Sequence, residues 1–118
     1  MTSEHPAPIA ATDTWHTVMA AAGHRCQCTG QCGQRHARTQ GRCDHTHGGY
    51  AGGHTTRLLA APADPAQLAL PTHHLATLPA EALTAWCPAC HDTARARAVR
   101  AARQATADRF ADDSPALF

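Results

Sequence analysis

Apolar residues near the start of the chain recur at the spacing of an α-helix. Four of them stand at positions i, i+3, i+4 and i+7 and therefore share one face: Trp15, Val18, Met19 and Ala22. Thr12 or Asp13 can cap the first turn, and Gly23 can end the last one. The pattern predicts a short helix whose apolar face packs into a core. Residues 1–12, with two prolines and small polar side chains, are predicted to be a disordered leader.

The middle of the chain carries a weaker pattern that proline and glycine interrupt. Thr-Thr-Arg-Leu-Leu at residues 55–59 is the best strand candidate, because β-branched residues run directly into leucines. Four prolines break up residues 61–80, which are predicted to form an extended insertion with one short helical turn. His73 and His74 fall inside this insertion and are expected to be exposed to solvent.

A long stretch near the end of the chain favours a helix. Asp92 to Ala111 is rich in alanine and contains neither glycine nor proline. Its arginines do not form one clean stripe, so a phosphate-binding face and a merely solvated surface both stay open. The candidate nucleic-acid contacts are four of them: Arg95, Arg97, Arg100 and Arg103. Residues 104–118 are assigned to the end of this helix and a short tail.

The composition indicates a single small domain with a thin core. The chain has 118 residues, and its hydrophobic share of 43% is largely alanine, with only two Trp, two Phe, two Met and one Tyr. Because a fully buried large side chain contributes only about 1.5–3 kcal/mol, such a core hardly offsets the chain entropy. Small domains of this kind usually recruit a metal ion or disulfides.

Charge and hydropathy narrow the classes of partner. The net charge of +1, with histidines neutral, lacks the global basic field that marks strong nucleic-acid binders. Every positive side chain is Arg and none is Lys, a bias typical of a GC-rich genome rather than of a function. The chain has no long apolar run and no positively charged signal-peptide start, so we expect a cytoplasmic protein without a membrane partner. Cysteines stay reduced in that compartment, which favours a metal over disulfides.

The cysteine spacing predicts a zinc site. Cys87-Pro-Ala-Cys90, followed by His91, forms a knuckle that can place two thiolates on one zinc ion. The other cysteines lie upstream among glycines, which allow the backbone to turn tightly around a metal: Cys26, Cys28, Cys32 and Cys43. The preferred site joins Cys28 and Cys32 to the knuckle. Such a site would close the middle of the chain into one loop.

A second zinc ion stays open on the same pattern. Three donors remain once the first site is filled: Cys26, His36 and Cys43. The fourth ligand would be one of three histidines: His45, His47 or His91. Spacing does not settle which cysteines share an ion, because Cys26 and Cys28 can exchange places. The alternatives are that the remaining cysteines are simple reduced thiols, or that the six cysteines form three disulfides in one of fifteen pairings.

The order of these motifs resembles that of the HNH, or ββα-metal, nucleases over residues 13–103. The shared features are a Trp-bearing helix, a cysteine knuckle, the Asp44-His45 pair, a Gly-Gly turn and a C-x2-C-H motif that opens a helix. The resemblance implies a small zinc-stabilised α+β domain. Its elements would be an N-terminal helix, a zinc knuckle, a β-hairpin between Cys43 and about Ala60, and a C-terminal helix.

The same resemblance assigns catalytic roles and reveals one departure. His45 would be the general base that activates water, and Asp44 and His91 would hold a catalytic divalent ion such as Mg²⁺. The family commonly carries an asparagine shortly before the knuckle. This chain has Ala82 there and contains no asparagine at all.

Three hypotheses for the function follow. The first is a zinc-binding HNH-like module that binds nucleic acid or a protein partner without efficient catalysis, which Ala82 and the low charge favour. The second is an active metal-dependent DNA endonuclease, favoured by Asp44, His45 and His91 standing in family order. The third is a structural zinc-knuckle subunit of a larger assembly of phage or plasmid origin, for which the low charge is the main argument. The sequence leaves the oligomeric state open.

Overall fold

The structure, a computed structural model, describes residues 12–51 and 53–113, so most of the predicted leader and the last five residues lie outside the described residues. The first helix, α1, spans Thr12–Ala22 and buries Val18, Met19 and Ala22. This confirms the predicted apolar face. The fourth residue of that face, Trp15, is half-buried, and its indole N–H donates to the carbonyl of Leu58 at 3.0 Å.

Within residues 12–51 and 53–113, four short strands form two separate antiparallel pairs. Strands β1 (Tyr50–Ala51) and β2 (His54–Thr55) make a small hairpin inside the segment where the resemblance to HNH nucleases implies one. Strands β3 (Leu59–Pro62) and β4 (Leu83–Trp86) pair over four residues, with Leu59 opposite Trp86. The strand predicted at residues 55–59 is only partly correct, because its two ends belong to β2 and β3 and its middle is a loop.

The proline-broken insertion contains two short helices and contributes side chains to the core. A 3₁₀ helix at Pro65–Ala69 and the short helix α2 (Thr72–Leu75) bury Leu68 and Leu75. The 3₁₀ helix packs against the C-terminal helix. Of the predicted features, the exposure of His73 and His74 is confirmed.

The C-terminal helix, α3, spans Pro88–Asp113 and begins inside the Cys87–Cys90 knuckle, which we call the second knuckle. Proline suits this first position because its fixed φ is already helical and its missing N–H has no partner there anyway. The first turns bury Cys90, His91 and Ala94, whereas every residue from Arg100 to Ala111 is exposed. About 18 Å of helix, at 1.5 Å per residue, is therefore exposed, although Ala102, Arg103 and Thr106 still line a shallow pocket with Ala69. Within the described part of the chain, no helix combines the length and apolarity needed to cross a bilayer.

The centre of the fold is made mainly of sulfur and one indole. All six cysteines are buried, and Trp86 has no exposed surface. The indole N–H of Trp86 donates to the Pro62 carbonyl at 3.1 Å, which ties β4 to the end of β3. Trp86 directly precedes Cys87, so packing of this strand fixes where the second knuckle starts.

Candidate metal centre

Four buried cysteines from three distant segments converge on one point. Their sulfur atoms all lie within 4.8 Å of one another: Cys26, Cys43, Cys87 and Cys90. The Sγ atoms of Cys43 and Cys87 are 3.8 Å apart. Two thiolates on one tetrahedral zinc, at about 2.3 Å each, are separated by about 3.8 Å. We call this set the four-cysteine group, and its composition and spacing suit a zinc ion.

A second group lies beside the first and contains a histidine. Its members also have ligand atoms within 4.8 Å of one another: Cys28, Cys32, His36 and Cys90. His36 Nε2 lies 3.5 Å from the sulfur of Cys32 and 3.7 Å from that of Cys90. A nitrogen and a sulfur ligand on one tetrahedral zinc are about 3.6 Å apart, given bond lengths of about 2.0 and 2.3 Å. This set, the histidine group, therefore also suits zinc.

The grouping differs from the one that spacing predicts. Spacing predicts that Cys28 and Cys32 lie beside Cys87. In the structure, Cys26 and Cys43 lie there instead. His36 lies with Cys28, Cys32 and Cys90, not with Cys26 and Cys43 as in the second predicted site, and none of the three histidines proposed as its fourth ligand joins either group. All seven predicted zinc ligands nevertheless fall into these two groups.

The predicted catalytic residues are not brought together in one group. Asp44 and His45 form a third cluster with Cys43, but His91 belongs to none of the three. His91 is buried, its Nδ1 lies 3.7 Å from the exposed carboxylate of Asp92, and burial lowers its pKa. His45 instead points its Nδ1 at the sulfur of Cys87, 3.2 Å away.

His47, another proposed ligand, has a packing role. Its Nδ1 accepts a hydrogen bond from the N–H of Leu58 at 3.1 Å, and its ring meets Trp15 edge-on. Burial lowers the pKa of His47, with further lowering from the charges of Arg57 and His24. The neutral ring that accepts this hydrogen bond is thus the favoured form.

Position 82, where the resembled family has asparagine, lies at the end of the 3₁₀ turn Ala80–Ala82, directly before β4. The carbonyl of Ala82 accepts a hydrogen bond from Ala63, and its methyl group offers no polar atom to a neighbouring histidine.

Backbone pairing explains how the first knuckle, the segment from Cys26 to Cys32, supplies sulfur atoms to both groups. The segment containing Cys26 and Cys28 pairs antiparallel with the one containing Cys43 and His45, through Cys26 N–H to His45 O at 2.8 Å and Cys43 N–H to Cys28 O at 2.9 Å. Residues two apart in extended backbone face the same way, so Cys26 and Cys28 point to the same side. On the other side, the Gln27 side chain accepts hydrogen bonds from Thr84 and from the N–H of Ala85.

A glycine lets the C-terminal helix approach the first knuckle. Gly33 has φ +98°, a conformation that side chains rarely adopt. A Cβ at this position would also collide with the guanidinium of Arg97, which lies against the glycine backbone. One of the predicted nucleic-acid contacts is thus placed beside the cysteine loop.

Two arginines that spacing does not single out bind the backbone of the cysteine segments together. Arg25 donates to the carbonyls of Cys43 and Arg42, at 2.9 and 3.2 Å. Arg42 donates in return to the carbonyls of Cys26, Ala22 and Arg25, at 2.9, 2.8 and 3.1 Å. Guanidinium groups present several donors in a fixed fork, so each can hold two strands at once. Their positive charge also offsets the negative charge of nearby thiolates.

Hydrogen bonds between sulfurs divide the protons of the four-cysteine group unequally. Hydrogen bonds from the Cys87 and Cys90 side chains lower the pKa of Cys26, which favours the thiolate form that zinc requires. Hydrogen bonding to Cys26 raises the pKa of Cys87 to about 12 and also raises the pKa of Cys90. Burial raises the pKa of Cys43. A zinc ion bound here must displace protons from these three sulfurs.

No protein-family model, curated protein or solved structure matches this chain. The resemblance to HNH nucleases therefore stays a prediction.

Proposed function

We propose that this protein is a zinc-stabilised module that binds nucleic acid through α3 without cleaving it efficiently. The observation that carries the proposal is the four-cysteine group, in which buried sulfurs from three distant segments take up the spacing of zinc ligands. A domain built in this way presents a rigid body and one long exposed helix. Such a helix is a suitable element for contact with a partner.

The charge of the exposed helix supports nucleic acid as that partner. α3 as a whole carries five arginines and four aspartates, and the aspartates lie towards its two ends: Asp92, Asp108, Asp112 and Asp113. At about 100° per residue, Arg95, Arg103 and Arg100 lie within an arc of about 140° on one side of α3, and Asp92 falls within the same arc at its beginning. Asp108 lies about 140° away from Arg103 by the same count, and its carboxylate accepts a hydrogen bond from Gln104. The basic surface is therefore limited to the stretch from Arg95 to Arg103.

The site geometry supports binding rather than catalysis. His45 Nδ1 lies 3.2 Å from the sulfur of Cys87, which engages this ring nitrogen and leaves Nε2 as the nitrogen that could take a proton from water. Asp44 and His91, the two expected ligands of a catalytic ion, share no group. Ala82 adds no polar atom to orient the base. An endonuclease remains the alternative, and a purely structural zinc subunit that binds only protein is the other.

We expect binding of a fluorescent DNA duplex or single-stranded RNA to weaken steeply as salt is added. Each phosphate contact contributes about 0.9 to the slope of log affinity against log salt on duplex DNA, so Arg100→Ala with Arg103→Ala should reduce that slope by about two. Both side chains are exposed, so the double variant should keep its fold. The measurement is fluorescence anisotropy over a series of salt concentrations. Arg57→Ala, which removes an exposed arginine outside α3, is the control and should leave the slope unchanged.

Two results would contradict this function. Salt-insensitive binding, or binding that the double variant leaves unchanged, would remove α3 as the contact surface. Nicking of supercoiled plasmid by the zinc-loaded protein with added Mg²⁺, lost in His45→Ala, would instead favour the endonuclease. If no nucleic acid binds even at low salt, the structural subunit is favoured.

A further inference from the structure

The sulfur of Cys90 belongs to both metal-binding groups. We infer that Cys90 bridges two zinc ions, one held by the four-cysteine group and the other by the histidine group. This inference rests on the zinc part of the proposed function and is independent of nucleic-acid binding. It predicts a binuclear centre with one shared thiolate instead of two separate sites.

The number of donors supports the shared thiolate. Two tetrahedral zinc ions have eight ligand positions, but the two groups together contain only seven donors. A thiolate has more than one lone pair and can bind two metal ions at once. Counting Cys90 twice fills all eight positions without a ligand from solvent. The small exposed fraction of Cys90, 6%, agrees with a sulfur enclosed from both sides.

Distances around Cys90 point the same way. Its sulfur lies 3.7 Å from His36 Nε2, the separation of a sulfur and a nitrogen on one zinc. It also lies within 4.8 Å of the sulfurs of Cys26, Cys43 and Cys87. Cys90 stands in the first turn of α3, where the positive end of the helix dipole stabilises a thiolate. No other residue in the described ranges belongs to both of these groups.

His45 is the competing fourth ligand for the first ion. Its Nδ1 is 3.2 Å from the sulfur of Cys87, which is shorter than the separation of about 3.6 Å expected for two ligands of one zinc. The distance instead fits an N–H···S hydrogen bond, in which His45 donates to a thiolate of the centre. In this arrangement His45 orients and stabilises Cys87 without binding metal.

The arginines next to the cysteine segments are consistent with a negatively charged metal centre. Six thiolates outnumber the four positive charges of two zinc ions, so the centre is formally anionic. Arg25 and Arg42 bind the backbone carbonyls of Cys43 and Cys26, and Arg97 lies against Gly33 in the loop of the histidine group. Three guanidinium groups thus lie close to the segments that supply the ligands.

The test is cadmium NMR on the full chain. We replace zinc with ¹¹³Cd, which takes the same tetrahedral thiolate ligands, and record correlations between cysteine β-protons and the metal. We expect two cadmium resonances, with the β-protons of Cys90 correlated to both. The β-protons of Cys28 and of Cys26, as internal controls, should each correlate to only one.

Each other outcome overturns a different claim. Two metal ions per chain by native mass spectrometry, with Cys90 correlated to one and the ring of His45 to the other, would overturn the bridge but keep both zinc sites. A single ion per chain would overturn the second site and the bridge together. A chain that binds no metal would overturn the zinc part of the proposed function itself. If the protein shows the expected NMR pattern but binds no nucleic acid, the bridge is supported and only the nucleic-acid part of the proposed function is overturned.

Discussion

Replacing Cys90 with alanine is expected to unfold the domain at room temperature. The substitution leaves both metal-binding groups with three donors, because Cys90 is the residue that they share. Structural zinc contributes about 10–16 kcal/mol in finger peptides, which matches or exceeds the whole stability of a typical small domain, about 5–15 kcal/mol. Tryptophan fluorescence is the measurement, because Trp86 is fully buried and its emission should shift to longer wavelength on unfolding.

Cys28→Ala is the matched control for this experiment. It removes one buried sulfur from the histidine group but leaves all four donors of the four-cysteine group. We expect this variant to lose one metal ion, to keep the other, and to stay folded without denaturant but unfold at a lower denaturant concentration than the parent chain. A Cys90→Ala chain that is folded without denaturant and has the same midpoint as Cys28→Ala would contradict the special position of Cys90.

The second large effect is expected from Trp86→Ala. Trp86 has no exposed surface, packs at the end of β4 and donates a hydrogen bond to Pro62. Truncating a buried aromatic side chain to alanine usually costs about 3–5 kcal/mol, through lost contacts and the cavity left behind. We expect that loss in the free energy of unfolding of the zinc-loaded protein, measured by urea denaturation followed by circular dichroism.

Trp86→Phe separates packing from the hydrogen bond. It retains most of the buried ring but removes the N–H, leaving the Pro62 carbonyl without that partner, and we expect a loss of about 1–3 kcal/mol. Metal content should be unchanged in both variants, because Trp86 supplies no ligand. A loss below about 1 kcal/mol for Trp86→Ala would show that the ring is not part of the core that positions Cys87.

The helices could be predicted because their signals are local. The face of α1 follows a 3.6-residue period over a single stretch, and the structure buries Val18, Met19 and Ala22 as that period requires. The alanine-rich sequence of α3 favours a helix without contacts to residues distant in the chain. Its start at Pro88 is four residues earlier than the Asp92 boundary of that stretch, because the second knuckle is itself the first turn.

Strand β4 could not be predicted because all four of its side chains are buried. A strand buried on both faces lacks the alternation of polar and apolar residues by which strands are recognised. The insertion has more regular structure than the one short helical turn predicted for it. Its prolines indicate breaks, yet Pro65 stands in the first turn of a 3₁₀ helix and Pro62 ends β3, positions where proline fits a folded segment.

The ligands were predictable as a set but not as two groups. Residue type and spacing identify the cysteines and His36 as metal donors, because each stands two to four positions from another cysteine or histidine. Which donors meet depends on how the segment of Cys26 pairs with that of Cys43, and on where β4 places Cys87. These are long-range contacts, and sequence spacing does not encode them.

Controlled removal of zinc tests the central claim most directly. The purified protein, kept under reducing agent so that disulfides cannot replace the metal, is titrated with a strong chelator. Zinc release, the emission of the two tryptophans and circular dichroism are followed together. We predict that the fold is lost as two zinc ions per chain are removed, and that adding zinc restores it. A chain that keeps its full structure after all zinc has been removed would contradict the account.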